Sequence, residues 1–89
     1  MQLEDKVLDD VVDRLRKVEG QVAGIIRMIE SERECADVVT QMSAASKALE
    51  RAGFRLLASG LRHCLADPKA AAKDGYDEAV MERLFMKLA

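Results

Sequence analysis

The longest uninterrupted helical pattern in the chain covers residues 32–66, which read ERECADVVTQMSAASKALERAGFRLLASGLRHCLA. No proline occurs before Pro68, and apolar or small side chains recur every three or four residues, as on one face of a helix. These positions are Val38, Met42, Ala45, Leu49, Ala52 and Leu56. We therefore predict one long helix whose small residues permit close contact with another helix.

The flanking segments predict one further helix on each side of this long helix. Before it, two apolar sets recur every seven residues, which is typical of a helix-packing seam: Leu8, Leu15, Val22, Ile29 and Val11, Val18, Ile25. After it, residues 69–75 suggest a turn or a short helical connection, and Asp74, with Asp77 three residues later, can cap a last helix. The apolar stripe of that helix comprises Val80, Met81, Leu84, Phe85 and Leu88.

The boundary between the first two helices carries a capping-box pattern. Ser31 and Glu34 stand three residues apart, so we predict that Ser31 is the N-cap of the long second helix and that Glu34 reaches back to it. The first helix then ends near Glu30. The sequence thus predicts an all-α fold of three helices, of which the second is the longest.

The size and composition of the chain limit its class. It has 89 residues, of which 49% are hydrophobic and 34% charged, and a formal net charge of -2. This predicts a single domain over residues 1–89, too small to bury a large core alone, so we expect an oligomer. No apolar run approaches the roughly 20 residues of a membrane span, and the acidic start Met1–Asp5 does not resemble a secretory leader, so we expect a cytoplasmic protein.

The spacing of the two cysteines predicts how subunits pair. Cys35 and Cys64 are 29 residues apart, which is about 43 Å along one helix, so they cannot form a disulfide within a subunit. Twenty-nine steps of about 100° nevertheless bring both onto nearly the same helix face. An antiparallel pair of such helices would create two intersubunit sites of two thiols each; chance placement of two buried cysteines is the alternative.

The surroundings of each cysteine suggest reactivity rather than a structural disulfide, which is uncommon in a reducing compartment. Cys35 is expected in the first helical turn, where the helix dipole favours thiolate and the neighbouring Glu34 opposes it. Cys64 follows Arg62 and His63, which can help to hold a thiolate, although we expect His63 to be a surface or interface residue. These features suit a nucleophile or a soft-metal ligand.

Three motifs in order carry a resemblance to a known family: Arg14–Val22 (RLRKVEGQV), Cys35–Ala44 (CADVVTQMSA) and Leu61–Cys64 (LRHC). Over about residues 10–65 the chain resembles the CsoR/RcnR family of small helical bacterial repressors. The resemblance implies antiparallel four-helix-bundle dimers that assemble into tetramers. It also implies that operator DNA is bound and then released when a small inorganic effector reacts at the cysteines.

The residues around the cysteines bear on which effector the resemblance implies. Copper-sensing members bind Cu(I) with both cysteines and a histidine four residues before the second, where this chain has Gly60. His63 lies about 100° away around the helix and does not replace that ligand easily. Copper sensors also commonly have tyrosine where Glu34 stands.

Other branches of the family leave two effectors to consider. A single histidine does not fit nickel or cobalt sensing, and formaldehyde-responsive members usually lack the second cysteine. The pattern most resembles CstR-type sensors, in which persulfides or polysulfides link the cysteine equivalent to Cys35 across subunits to the equivalent of Cys64. The alternative is a Cu(I) sensor that uses Cys35 and Cys64 alone; no other metal and no cofactor is expected.

The resemblance makes DNA the expected partner despite a pI near 5.4, although basic stripes on a helix are by themselves usually only a solvated face. The resemblance implies operator contacts by Arg14 and Arg51, with support from neighbouring positions. The supporting residues are Arg16, Lys17, Gln21, Lys47 and Arg55. No helix-turn-helix pattern is recognisable, so phosphate contacts and DNA shape are expected to dominate. The alternative is a helical thiol-binding module without a DNA partner, whose basic stripes are merely solvated.

The sequence offers no catalytic constellation. It contains one histidine, no phosphate-binding glycine loop and no pattern for a metal triad. We therefore predict that the protein is not an enzyme.

Overall fold

The computed structural model describes residues 3–89 and places them in helices joined by short turns. The helices are α1 (Asp5–Glu30), α2 (Cys35–Ala66), α3 (Pro68–Lys73) and α4 (Glu78–Leu88). The all-α prediction is confirmed, and α2, with 32 residues, is the longest helix of the described part. The connection after Pro68 is a six-residue helix of its own, so residues 3–89 contain four helices where three were predicted. It forms because the Asp67 side chain accepts a hydrogen bond from the Ala70 amide at 3.2 Å.

The predicted role of Ser31 is wrong. Ser31 is the C-cap of α1, and its hydroxyl donates to the carbonyl of Met28 at 3.2 Å. Helix α2 begins at Cys35, three residues later than a Ser31 cap implies, and its N-cap Glu34 makes no side-chain capping bond. The capping-box pattern therefore lies on the turn between the helices instead of opening α2.

The turn between α1 and α2 is closed by a left-handed residue, which explains why Ser31 cannot cap α2. Glu32 has φ of +58° and donates its amide to the carbonyl of Ile29 at 3.1 Å. The amide of Arg33 donates to Met28 at 2.9 Å. This pair of bonds is the Schellman arrangement that ends helices, although glycine usually takes the left-handed position.

Helices α1 and α2 form an antiparallel hairpin, and α4 folds back onto α2. An ion pair of 3.0 Å joins Asp10, near the start of α1, to Arg55, late in α2, across the hairpin. The buried contact between the two helices consists of small and medium side chains: Val11, Val18, Val38, Ala45 and Ala52. Helix α4 contacts α2 through the edge-on rings of Phe54 and Phe85, whose centroids are 5.7 Å apart.

One protomer is thin, and part of its apolar surface is uncovered. It measures 54 × 24 × 13 Å, and no large side chain in the described part is fully buried. Within the heptad pattern of α1, Val11 and Val18 are buried, whereas Leu15, Val22 and Ile29 are exposed. Helix α2 leaves Met42 and Leu49 each 52% exposed. In residues 3–89 no helix is both long and apolar enough to cross a membrane.

Candidate functional site

The two thiols lie at opposite ends of one unbroken helix, as the spacing predicts. Cys35 is the first residue of α2 and is exposed, whereas Cys64 lies in its last turn and is buried. Neither cysteine is in a disulfide. Because α2 is continuous, the separation of about 43 Å along its axis holds, and one protomer cannot bring its own thiols together.

The side chain of Met81 packs against Gly60, one helical turn before Cys64. Gly60 is buried, and a Cβ atom built on it would lie 3.0 Å from Sδ and 3.6 Å from Cε of Met81. The same point is 3.4 Å from Cδ1 of Tyr76. Gly60 is thus a notch in α2 that α4 fills with a thioether, and any larger residue there would displace Met81.

The single histidine is held by a carboxylate beside α2. Nε2 of His63 lies 3.0 Å from Oδ2 of Asp74, and the His63 ring meets Tyr76 edge-on with centroids 5.7 Å apart. Its side chain is 26% exposed. These contacts attach the turn between α3 and α4 to the end of α2.

Four of the residues predicted to contact DNA line one groove between α1 and α2. This basic groove, of about 360 Å³, is formed by Arg14, Lys17, Gln21 and Arg51 together with Asp10, Asp13 and Ala48. The side-chain oxygen of Gln21 is buried and accepts no hydrogen bond from a residue in the described part. The hairpin therefore gathers basic side chains that lie more than 30 residues apart in sequence.

The remaining predicted contacts are distributed around this groove. Lys47 lines an adjacent depression that shares Gln21 and Arg51 with the basic groove. Arg55 reaches the edge of the groove through its ion pair with Asp10. Arg16 is exposed on α1 but lines neither depression.

An acidic residue that the sequence did not single out holds two of these arginines. Oδ2 of Asp10 accepts hydrogen bonds from Nε of Arg14 and from Nε of Arg55, each at 3.0 Å. The hydrogen bond from Arg14 is the main cause that lowers the pKa of Asp10 from its ordinary value of 3.8; desolvation opposes it, and the charges of Arg14 and Arg55 add to the lowering. Because the pKa is lowered, Asp10 is a carboxylate at neutral pH.

Sequence reasoning missed Asp10 and Met81, for different reasons. Asp10 stands four residues before Arg14, a spacing typical of helical ion pairs, so its contact with Arg14 could have been predicted from the sequence, whereas its contact with Arg55 could not. The contact of Met81 with Gly60 depends on how α4 docks, for which the apolar stripe of α4 gives no register.

Comparisons with known proteins agree on one family. A family model described as "Metal-sensitive transcriptional repressor" matches residues 8–87. The copper-sensing transcriptional repressor RicR of Mycobacterium tuberculosis is 45% identical over 74 residues, which span 83% of this chain and 77% of RicR. The copper-sensing transcriptional repressor CsoR of Bacillus subtilis is 38% identical over 79 residues, covering 89% of this chain and 75% of that protein.

A solved structure extends the similarity to almost the whole fold. The crystal structure of the copper-sensing repressor CsoR with Cu(I) from Geobacillus thermodenitrificans superposes with a TM-score of 0.73 at 31% identity. The match covers 99% of this chain and 88% of that one.

Proposed function

Because this chain belongs to the metal-sensitive transcriptional repressor family, the CsoR/RcnR family that its motifs indicate, we propose that it binds operator DNA and releases it when an effector reacts at Cys35 and at Cys64 of the partner subunit. Members of the family are transcriptional repressors, so the prediction that the protein is not an enzyme is confirmed. We also propose that the two thiols form the effector site, that the basic groove contacts DNA, and that the protein acts in the cytoplasm.

The uncovered apolar face supports an antiparallel dimer. Cys35, Met42 and Leu49 follow one another at intervals of seven residues, so the thiol at the start of α2 lies on the same face as two half-exposed apolar side chains. Covering that face with the α2 of a second subunit running in the opposite direction buries Met42 and Leu49. It also sets each Cys35 opposite Cys64 of the partner subunit. Two such dimers then form the tetramer.

The residues around the two cysteines support a sulfane-sulfur compound as the effector. The site has two thiols, while Met81 occupies the space beside Gly60 where an imidazole would start. A sulfane-sulfur compound needs only two thiols. The Cys35 thiolate attacks the outer sulfur of a persulfide RSSH, the S–S bond breaks, RS⁻ leaves, and Cys35 becomes a persulfide.

The second thiol completes this chemistry across the subunits. The thiolate of Cys64 of the partner subunit attacks the inner sulfur of the Cys35 persulfide and expels HS⁻, which leaves a disulfide between the subunits. The sulfane sulfur is the oxidant and ends as sulfide. If one further sulfur atom is first added to the Cys35 persulfide, the link is a trisulfide, and if two are added, it is a tetrasulfide. A covalent link at both ends of the dimer restrains its helices and thereby favours the form that does not bind DNA.

The experiment compares operator affinity before and after treatment of the reduced protein with inorganic polysulfide. We expect the affinity of the protein for its operator DNA to fall by roughly 5- to 150-fold, the usual range of allosteric coupling. Mass spectrometry should show Cys35 linked to Cys64 of a second chain. Cys35→Ser and Cys64→Ser should each bind DNA as the reduced protein does and fail to respond. Formation of the link without a change in affinity refutes the mechanism.

A second candidate effector is Cu(I), because two similar proteins and the similar crystal structure carry the description copper-sensing. Two thiolates suit this soft monovalent ion. If stoichiometric Cu(I) releases the operator while polysulfide leaves it bound, Cu(I) is the effector and the persulfide proposal is wrong.

The basic groove is the proposed DNA surface. Arg14, Lys17 and Arg51 converge there, and assembly repeats the groove on every subunit. Phosphate contact predicts steep weakening of binding with salt. A reduced tetramer that binds no duplex even at low salt would instead support a thiol-binding module without a DNA partner.

A further inference from the structure

The sulfur atom of Met81 stands at the surface of α2 one turn before Cys64. Met81 is 5% exposed, and its Sδ lies 3.0 Å from the Cβ position of residue 60. Residues four apart in a helix project from one face with their Cβ atoms about 5–6 Å apart. The thioether is therefore next to the face of α2 from which Cys64 projects.

The thioether is held in that place by residues at the start of its helix. Helix α4 starts at a fixed point, because Oδ1 of Asp77 accepts a hydrogen bond from the Val80 amide at 2.9 Å. Tyr76, just before it, packs against the same notch and against the His63 ring. Met81 thus fits the notch at Gly60 as a specific packing partner.

The chemistry of this sulfur matches that of the thiol pair. A thioether is a neutral soft donor that suits Cu(I), as thiolates do. Cys64, 8% exposed, and Met81 are both withdrawn from water, so a ligand that adds no charge costs less to bury there than a third anion. Two sulfur donors, Cys64 and Met81, therefore lie at this end of α2, while Nε2 of the nearby His63 is already paired with Asp74.

We propose that Met81 is a third ligand for Cu(I), alongside Cys64 of its own subunit and Cys35 of the partner subunit. The inference rests on the second effector candidate above. These residues fit Cu(I), because Gly60 has no side chain of its own and the thioether of Met81 occupies the space beside it. The site then takes a monovalent soft cation and supplies three sulfur atoms without an imidazole.

The test compares Met81→Leu with Met86→Leu after anaerobic loading with Cu(I) alone. Met86 lies on the same helix but is 67% exposed, which makes it a matched control. Copper X-ray absorption should show three sulfur neighbours in the unchanged protein and in Met86→Leu, and two in Met81→Leu. In selenomethionine-labelled protein, a copper–selenium distance should appear and should vanish only in Met81→Leu.

Affinity gives a second readout. Competition with a chromophoric Cu(I) chelator should show Met81→Leu weakened by at least the roughly 10- to 100-fold that losing an outer-shell partner costs at metal sites. The exchange of methionine for leucine nearly conserves volume, and unchanged helicity by circular dichroism verifies the fold. The response to polysulfide should stay intact, because that chemistry needs only thiols.

Three outcomes overturn the inference. Equal sulfur coordination in both variants, with Cu(I) still releasing DNA, refutes the role of Met81 and leaves the Cu(I) candidate standing. Loss of the polysulfide response in Met81→Leu shows that the residue is structural. Failure of the unchanged protein to bind Cu(I) refutes the inference and the Cu(I) candidate together, and leaves the persulfide proposal untouched.

Discussion

Replacing Asp10 with asparagine should tighten binding to duplex DNA and make that binding more sensitive to salt. One carboxylate oxygen of Asp10 accepts from both Arg14 and Arg55 at 3.0 Å, so it competes with DNA phosphates for two guanidinium groups. Asparagine keeps the size and an acceptor oxygen but loses the charge. Both arginines then become available to phosphate.

The size of the effect follows from the charge released. Asp10 cancels one positive charge per subunit, and each further phosphate contact steepens the dependence of log K on log salt by about 0.9. We therefore expect the slope to steepen by about 0.9 for every subunit that touches the duplex. The ion pairs are about half exposed, so their loss should affect folding little.

The effect should be constant across neutral pH. The hydrogen bond from Arg14, with the charges of Arg14 and Arg55, lowers the pKa of folded Asp10 below 3.8. Since the folded value is the lower one, the stability gained from this pairing is present above the unfolded pKa. It is lost only as the pH falls through the folded value. Asp10 is thus a permanent restraint and not a pH switch.

Fluorescence anisotropy of a labelled duplex, titrated with reduced protein over a salt series, measures the slope. Asp13→Asn is the control, because Asp13 lines the same groove but forms no ion pair with a described residue. It removes the same formal charge and should change the slope less. Equal slopes for the two variants, or no steepening in Asp10→Asn, would show that Asp10 does not restrain the arginines.

Two further predictions concern stability, compared at one fixed protein concentration. Glu32→Gly should stabilise the protein by about 0.5–1 kcal/mol. The left-handed conformation costs an L-residue about 1–2 kcal/mol, and glycine avoids this strain but loses more chain entropy on folding, which offsets part of the gain. Tm should rise by a few degrees, and Glu32→Ala should stay near the parent; a lower Tm in Glu32→Gly contradicts the argument. Asp77→Ala should cost about 1 kcal/mol in a denaturant titration through loss of the cap on Val80, whereas Asp77→Asn should lose little. Equal losses in the two Asp77 variants would indicate charge instead of the capping bond.

The helices were predictable because their signals are local. The proline-free run up to Pro68 predicted α2, and the 29-residue spacing placed Cys35 and Cys64 at its two ends. The start of α2 was misjudged because the Ser31 and Glu34 pattern is also compatible with a helix end. The residue that closes that end is Glu32, and only glycine or asparagine there would have signalled a left-handed turn.

The site was predictable only in part, because its contacts join distant segments. The sequence showed that Gly60 stands where copper sensors have histidine, but it did not show that Met81 fills the space. The ion pair of Asp10 with Arg55 spans 45 residues and depends on the register of the hairpin. Periodicity fixes which face of a helix is apolar, but it does not fix how far one helix slides along another.

The unbroken length of α2 has a genetic consequence. In the proposed dimer, homodimers of Cys35→Ser or of Cys64→Ser lack one sulfur atom at both ends. A mixed dimer of the two variants is different, because both lesions fall at the same end and the other end is intact. Cells carrying both defective alleles should regain part of a response that neither allele supports alone, which is complementation between alleles of a single gene.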